Sequence, residues 1–197
     1  MVNNTTIFSF CRIPPEGIPS RGLVLYRSIA SYDRLVKAIT LSIWILIISI
    51  DVWIAYLLKT SEISIPPSSL ALLYFVYAIT LLPPLVTFLF SPREFSLTTD
   101  GLQVKRPIRS FVIPYREIVE VKRVEWTHWG IRLFGSGGLY GFFGLFKLKG
   151  LGRVWVYVTN RDSVLLIKTR KNQYLISPKN AEEFLERLEK TLEMFGH

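Results

Sequence analysis

The stretch from Arg132 to Gly152 reads RLFGSGGLYGFFGLFKLKGLG. Between Gly130 and Gly152 the chain places eight of its twelve glycines. Five aromatic residues stand among or beside these glycines: Phe134, Tyr140, Phe142, Phe143 and Phe146. Glycines near lysines are typical of phosphate-binding loops, whereas a cluster of aromatic side chains in an exposed loop usually marks an interface. The role of this stretch depends on which of the two descriptions fits.

The glycine spacing does not match the two common nucleotide-binding motifs. Gly130 and Gly135 have the spacing of a GxxxxGK loop, but Ser136 stands where that loop requires lysine. In a GxGxxG motif starting at Gly135, the last glycine would be at Tyr140. The surrounding sequence also lacks the strand–helix–strand pattern of a nucleotide fold. The stretch therefore predicts neither a nucleotide site nor a cofactor.

The sequence on both sides of the glycine run has the two-residue period of β-strands. REFSLTTDGLQVKRPI, from Arg93, predicts two strands around the Asp100–Gly101 turn, a dipeptide typical of hairpins. FVIPYREIVEVKRVEW, RVWVYVTN, SVLLIKTRK and QYLISP supply further strands, for a total of about seven. The last segment, NAEEFLERLEKTLEMF, predicts an amphipathic helix that begins after Asn180.

A small antiparallel barrel or sandwich closed by one C-terminal helix is the pleckstrin-homology (PH) arrangement. The pieces FSLTTDGLQV, IPYREIVEV, GSGGLYGFFGLF, VYVT and YLISPKNAEEFLERL resemble the prokaryotic PH-like, or bacterial PH, domain family, over roughly residues 93–195. The resemblance implies a seven-stranded β-structure with a C-terminal helix. It implies no catalytic residues, because a fold does not fix a function, and the protein is expected not to be an enzyme.

Two long apolar segments precede this module. AITLSIWILIISIDVWIAYLL, residues 38–58, holds one charged residue, and SSLALLYFVYAITLLPPLVTFLF, residues 68–90, holds none. A helix of about 20 residues crosses the hydrocarbon core of a bilayer. The sequence therefore predicts an α+β membrane protein with three parts: an N-terminal cytoplasmic segment (1–35), a transmembrane helical hairpin (36–91) and a cytoplasmic PH-like domain (92–197).

Basic residues predict the orientation of the hairpin. The loop between the spans carries only Lys59, while the flanks are rich in arginine and lysine. Those flanking residues are Arg12, Arg21, Arg27, Arg34, Lys37, Arg93, Lys105, Arg106 and Arg109. Because basic residues favour the cytoplasmic side, both termini are expected in the cytoplasm and the protein in the inner membrane.

The basic charge predicts where anionic lipid would bind. Residues 92–179 contain 16 Lys and Arg against 6 Asp and Glu, and the net charge of the whole chain is +9. The candidate lipid-binding cations are Lys105, Arg106, Arg109, Lys147, Lys149 and Arg153. Each cation near an anionic surface contributes about 1 kcal/mol. Ordinary positive-inside bias explains the same charge equally well, and nucleic acid is not expected as a partner because no recognition motif is present.

The five aromatics of the glycine run have two competing interpretations. A loop held under the bilayer would insert Phe142 and Phe143, with Phe134, Tyr140 and Phe146, into the headgroup region. Alternatively, they pack against the β-module or the first apolar segment. A protein partner is a third possibility.

Asp51 is the charged residue of the first span, and a carboxylate inside a membrane suggests a buried partner or a function. Tyr74 and Tyr77 lie at the matching depth of the second span, so a hydrogen bond from a tyrosine hydroxyl is one expectation. The other is contact with a second copy or with another membrane protein.

The sequence predicts no metal or redox site. Cys11 is the single cysteine and His128 and His197 are the two histidines, too few for a metal centre built from these ligands. Glu125 and His128 form a weak catalytic pair, and packing explains His128 better. The predicted function is a non-enzymatic membrane-anchored module that engages anionic lipid or protein partners. The alternatives are an accessory subunit of a transport or secretion complex and a membrane-bound enzyme with an unfamiliar site.

Overall fold

The structure, a computed structural model, describes residues 22–60, 67–126 and 130–195. The helices are α1 (Arg34–Thr60), α2 (Pro67–Phe90) and α3 (Ala181–Phe195). The strands are β1 (Val24–Ile29), β2 (Glu94–Thr98), β3 (Gly101–Lys105), β4 (Phe111–Ile113), β5 (Ile118–Val124), β6 (Gly130–Gly138), β7 (Gly141–Leu148), β8 (Gly152–Val158), β9 (Val164–Thr169) and β10 (Gln173–Ile176). A short 3₁₀ turn, Tyr115–Glu117, leads into β5.

Helices α1 and α2 bury almost none of their described apolar side chains. The segments Arg34–Thr60 and Leu73–Phe90 are long and apolar enough to cross a membrane, with 0% and 6% of their most apolar windows buried. A core helix of a water-soluble domain would bury most of such a window. The other described residues leave these two helices largely uncovered, which is consistent with membrane association.

The first sheet joins residues from both sides of the two long helices. Its strand order is β1-β2-β3-β4, and all three pairs are antiparallel. Strand β1 precedes α1 and pairs with β2, which follows α2; Ile29 lies opposite Glu94. Within the N-terminal segment, Val24–Ile29 forms a strand. Residues 31–92 are thus an insertion between two neighbouring strands.

The second sheet has six strands in the order β5-β9-β10-β8-β7-β6. Strands β8 and β10 are parallel, and the other neighbours are antiparallel. The described residues therefore hold ten strands rather than the seven expected, and the sheet is mixed. The difference arises because β1 comes from the N-terminal segment and because the glycine run forms strands of its own, although glycine is rare in strands.

The two sheets and α3 enclose the main hydrophobic core. Phe184 and Leu188 of α3 are fully buried there, as the amphipathic pattern predicted. The sheets contribute, among others, Phe95, Leu97, Phe111, Leu165 and Ile176. The other face of the second sheet buries a smaller cluster that includes Phe146, Val156 and Leu166, partly covered by Trp126 and Leu151. The predicted PH-like sandwich with a C-terminal helix is present, with a higher strand count.

The glycine run is a β-hairpin rather than a loop. Strands β6 and β7 pair from Gly130 opposite Leu148 to Gly138 opposite Gly141, and the turn between them is Leu139–Tyr140. At Gly135, where φ is +110°, a Cβ atom would lie 2.0 Å from the carbonyl oxygen of Phe143. No side chain fits this position, which explains why the two strands meet through glycines.

Candidate functional site

The junction between the long helices and the β-module is the best-connected polar region of the described structure. Asp33 caps α1: its Oδ1 accepts a hydrogen bond from the Val36 amide at 2.7 Å. Its Oδ2 accepts one from Arg161 Nε at 2.6 Å, and its amide donates to the Thr159 carbonyl at 3.1 Å. The Asp33 side chain is only 6% exposed. One carboxylate therefore ties the start of α1 to the β8–β9 turn.

Arg93 makes the corresponding connection after α2. Its Nη1 donates to the Tyr32 hydroxyl at 2.7 Å, and its guanidinium lies 4.2 Å from the ring centre of Phe88. Its Nη2 is buried and has no hydrogen-bond partner among the described residues. Burial raises the pKa of the Tyr32 hydroxyl, and the charge of Arg93 partly opposes that rise. Tyr32, just before α1, and Arg93, just after α2, are thus hydrogen-bonded to each other.

The tip of the β6–β7 hairpin contacts both long helices. The Tyr140 hydroxyl accepts a hydrogen bond from Trp44 Nε1 at 2.7 Å, and the Tyr140 amide donates to Thr40 Oγ1 at 3.1 Å. The Tyr140 ring packs edge-on against Phe88 of α2, with ring centres 5.4 Å apart. A Cβ atom at Gly138 would lie 2.8 Å from Ile39. For Tyr140, packing against the first apolar segment is the observed arrangement.

The other aromatic side chains of the glycine run lie in different environments. Phe143 and Phe146 are each 6% exposed and belong to the two cores, and Phe142 packs against Trp126 with ring centres 5.3 Å apart. In this conformation the buried side chains of Phe143 and Phe146 have no access to lipid, whereas Phe142 is only partly buried and its contact with headgroups stays a prediction. Phe134, on β6, is 73% exposed.

The KRPIR cluster, Lys105–Arg109, lies at the end of α2. The Ile108 amide donates to the Leu89 carbonyl at 3.1 Å. The Arg106 guanidinium lies 5.8 Å from the ring centre of Phe90, and its Nε donates to the Arg109 carbonyl at 2.8 Å. Lys105 instead forms a 2.8 Å ion pair with Glu94. The structure thus places Arg106 and Arg109 beside the helix end and engages Lys105 within the sheet.

The second predicted basic group lies elsewhere. Lys147 of β7 is opposite Arg153 of β8, and Lys149 is in the turn between these strands. Gly141, at the other end of β7, adjoins the turn that contacts α1 and α2. Leu148 is seven residues after Gly141 in an extended strand, so about 23 Å separates the two residues along β7. The two basic groups therefore sit at opposite ends of β7 and do not form one surface.

Asp51 has no hydrogen bond from a tyrosine. Its Oδ1 is buried without a partner among the described residues. The Tyr74 side chain is 71% exposed. The described residues therefore do not show the tyrosine hydrogen bond, and contact of Asp51 with a second copy or with another membrane protein stays a prediction.

The described residues hold no group of three or more His, Cys, Asp or Glu side chains that could bind a metal ion. His128 lies outside the described residues, as do residues 1–21 and the loop between the spans. A shallow cavity of about 700 Å³ is lined by Arg123, Val124, Glu125, Trp126, Arg161 and Asp162. Its arginines are already engaged with Glu182 and Asp33.

The sequence did not predict the roles of Asp33, Arg93 and Arg161, which connect the long helices to the β-module. A signal existed for Asp33 alone: an aspartate placed directly before an apolar helix is a common N-cap. Arg161 is 128 positions from Asp33, so nothing local indicates their pairing.

This β-module, closed by α3 and attached to two apolar helices, agrees with comparison to known proteins. The bacterial PH domain family matches residues 93–192, about half of the chain. The chain belongs to the bacterial PH domain family. A PH-like domain is a lipid- or protein-binding module, and the family is generally non-enzymatic.

A curated relative adds no activity. An uncharacterized protein of Clostridium acetobutylicum is 32% identical over 83 residues, which cover 42% of this chain and 28% of that protein. The chain thus corresponds to less than a third of that relative's length. No solved structure matches this bacterial PH chain.

Proposed function

We propose that this bacterial PH protein is a non-enzymatic module anchored in the inner membrane, which engages anionic lipid headgroups with the loop between β3 and β4. In this proposal α1 and α2 form the transmembrane hairpin of residues 36–91, with spans 38–58 and 68–90. The N-terminal segment (1–35) and the PH-like domain (92–197) lie in the cytoplasm.

The hydrogen bond from the Ile108 amide to the Leu89 carbonyl carries this proposal. It fixes the β3–β4 loop against the last turn of α2. If α2 crosses the bilayer, its last turn lies at headgroup depth, and Arg106 and Arg109 lie there with it. The neighbouring Phe90 and the exposed Ile108 supply apolar surface at the same level.

The other predicted lipid-binding cations are not part of this proposal. Lys105 is paired with Glu94. Lys147, Lys149 and Arg153 lie about 23 Å along β7 from the contacts with the helices. These residues therefore provide a matched control for charge.

The test uses the full chain in a neutral detergent, with added phosphatidylglycerol or phosphatidylcholine. A ligand that binds the folded state raises the unfolding temperature. We expect phosphatidylglycerol to raise it more than phosphatidylcholine, and the excess to shrink with rising salt. The double variant R106Q/R109Q should lose that excess, whereas K147Q/K149Q, with the same change in net charge, should keep it.

Two results would contradict the lipid proposal. One is an equal effect of both lipids on the wild-type chain. The other is an equal loss in R106Q/R109Q and K147Q/K149Q, which would show a response to net charge rather than to a place on the surface.

A second function, accessory subunit of a membrane transport or secretion complex, is favoured by Asp51. A carboxylate oxygen without a hydrogen bond is costly inside a membrane, and a donor from another chain would satisfy it. Purification in mild detergent tests this: a stoichiometric membrane partner, lost in the D51L variant, would support the subunit, and a partner-free chain would argue against it.

A further inference from the structure

Five cations gather at the end of the β-module opposite the long helices. The β7–β8 turn and the β9–β10 turn are neighbours there, because Gln173 Nε2 donates to the Leu151 carbonyl at 3.0 Å. The two turns and adjoining strand ends carry Lys147, Lys149, Arg153, Arg170 and Lys171. Neither the stretch 147–153 nor the stretch 168–171 contains an acidic residue.

Most of these cations have no counter-charge. Lys171 approaches Glu117, at 3.9 Å. Within the described part of the chain, Lys147, Lys149, Arg153 and Arg170 form no ion pair, and all four are exposed. By contrast, several acidic side chains elsewhere in the module are paired with nearby cations, as Glu94 is with Arg27 and Lys105. The opposite end of the module therefore has an uncompensated positive charge.

Strand β6 places apolar side chains beside this charge. It is the last strand of the six-stranded sheet, so one row of its backbone donors and acceptors has no neighbouring strand among the described residues. Ile131 and Phe134 are 69% and 73% exposed. Ile131 lies opposite Lys147, which lies opposite Arg153, so these three side chains share one face of the sheet.

Strand β6 lacks the usual protection of an edge. Natural edge strands are commonly blunted by proline, by several charged residues or by a short length. Strand β6 has nine residues, no proline and the single charge of Arg132. Its four glycines leave the backbone accessible. These features suit the addition of another strand.

The positive charge beside β6 indicates which kind of strand could pair with it. Two copies paired through parallel β6 strands would bring Lys147, Lys149 and Arg153 of each copy towards the cations of the other, which is unfavourable. Antiparallel pairing would place the cations of each copy beside the long helices of the other, so in the proposed topology the two hairpins could not share one membrane. The membrane of the proposed hairpin lies at the other end of β7, about 23 Å away along the strand. The partner that complements β6 and the neighbouring cations is therefore an extended chain with both negative charge and apolar side chains.

We propose that Ile131, Phe134, Lys147, Lys149, Arg153 and Arg170, termed the basic edge, bind an extended acidic segment of a partner protein, which adds as a strand to β6. The apolar side chains of the segment cover Ile131 and Phe134, and its carboxylates meet the cations of the two turns. This role is independent of the lipid contact at Arg106 and Arg109.

The probe is a labelled nine-residue peptide that alternates glutamate with valine and phenylalanine. It is titrated with the full chain in nanodiscs of neutral phosphatidylcholine, and binding is read as fluorescence anisotropy. The neutral lipid keeps this test separate from the phosphatidylglycerol test. We expect saturable binding that weakens with salt, and no binding of a peptide with lysine in place of glutamate or with a central proline.

Matched variants locate the site. The charge reversal K147E/R153E should weaken binding at least tenfold, and F134S at least fivefold. The reversal K179E/K190E, at two exposed lysines away from the basic edge, and V119S, at an exposed apolar residue of the other edge strand, should change it less than twofold. Circular dichroism checks that each variant is folded.

Four outcomes of the peptide and DNA measurements would overturn the inference. These are absence of binding, equal binding of the lysine peptide, equal sensitivity to K179E/K190E and K147E/R153E, and tighter binding of a nine-nucleotide single-stranded DNA at the same residues. In the last case the basic edge would be a nucleic-acid surface. Loss of binding of separate anionic vesicles, without loss of peptide binding, in K147E/R153E would assign the charge to lipid instead.

Discussion

At the scale of single residues, Asp33 joins the first long helix to the β-module. It caps α1 and also pairs with Arg161. The cap satisfies an amide that the helix leaves free. The ion pair satisfies the second oxygen of a carboxylate that is largely removed from water. A small side chain thus fixes the position of a 27-residue helix relative to the sheet.

Replacing Asp33 with alanine should loosen this junction. Loss of the cap costs about 1 kcal/mol, and loss of the partly exposed ion pair costs about another 1 kcal/mol. Local opening worth about 2 kcal/mol speeds hydrogen exchange about thirtyfold. We therefore expect about thirtyfold faster exchange at the Val36 and Arg161 amides in D33A, measured by hydrogen–deuterium exchange in detergent.

The control is D162A, which removes an exposed carboxylate from the same turn. It should change exchange at Val36 and Arg161 less than threefold. Equal effects of the two variants would mean that the turn, rather than the Asp33 carboxylate, holds α1.

At the scale of elements, sequence patterns predicted some pieces and missed others for identifiable reasons. The α3 helix was predictable because Ala181, Phe184 and Leu188 recur at helical spacing. Strands β6 and β7 were not, because their glycines obscure the alternation that marks a strand and imitate a loop. The pairing of β1 with β2 was not predictable either, since 62 residues, 31–92, separate Ala30 from Arg93.

The pairing of β1 with β2 predicts which shortened form of this protein folds. A fragment of residues 92–197 lacks β1, which pairs with β2 and brings Tyr26 to the Phe184 ring of α3, with ring centres 5.9 Å apart. A chain that joins residues 22–31 to 92–197 through a short glycine–serine linker restores it. The linker is feasible because the Ala30 amide donates to the Arg93 carbonyl at 2.9 Å.

We expect the joined chain to be soluble and to unfold cooperatively on heating, as followed by circular dichroism. The fragment without β1 should aggregate or unfold at a temperature at least 10 °C lower, because it exposes one face of the core and an unpaired strand edge. Equal melting temperatures would show that β1 contributes little to the β-module.

At the scale of the whole molecule, the chain leaves the first sheet after β1, forms the two apolar helices and returns to the same sheet at the neighbouring strand β2. Both helix ends are held: α1 by Asp33 and Tyr140, α2 by Arg93 and the β3–β4 loop. A domain attached this way cannot swing freely from its anchor as a domain on a single linker would. The β-module is therefore expected to keep a constant face towards the helices.

The proposed membrane topology has a direct test. Cys11 is the single cysteine, so C11S gives a background without cysteine. A cysteine introduced by E62C, between the spans, should react with a membrane-impermeant maleimide in intact cells, whereas K149C should react only after permeabilisation. The opposite pattern would reverse the orientation. Labelling of both sites in intact cells would contradict a cytoplasmic β-module.

The sequence alone determined the properties that depend on local composition and period. Two apolar segments, an amphipathic last helix, strands rich in β-branched residues and an excess of cations can each be recognised within a window of about 20 residues. They fix the class of the protein and its family resemblance. Tertiary structure decided everything that depends on contacts between distant residues: which strands are neighbours, which aromatics are buried, and which cations share a surface. Lys105 and Lys147 look alike in the sequence, but the fold pairs Lys105 with Glu94 and gives Lys147 no counter-charge among the described residues, because pairing depends on distance in space.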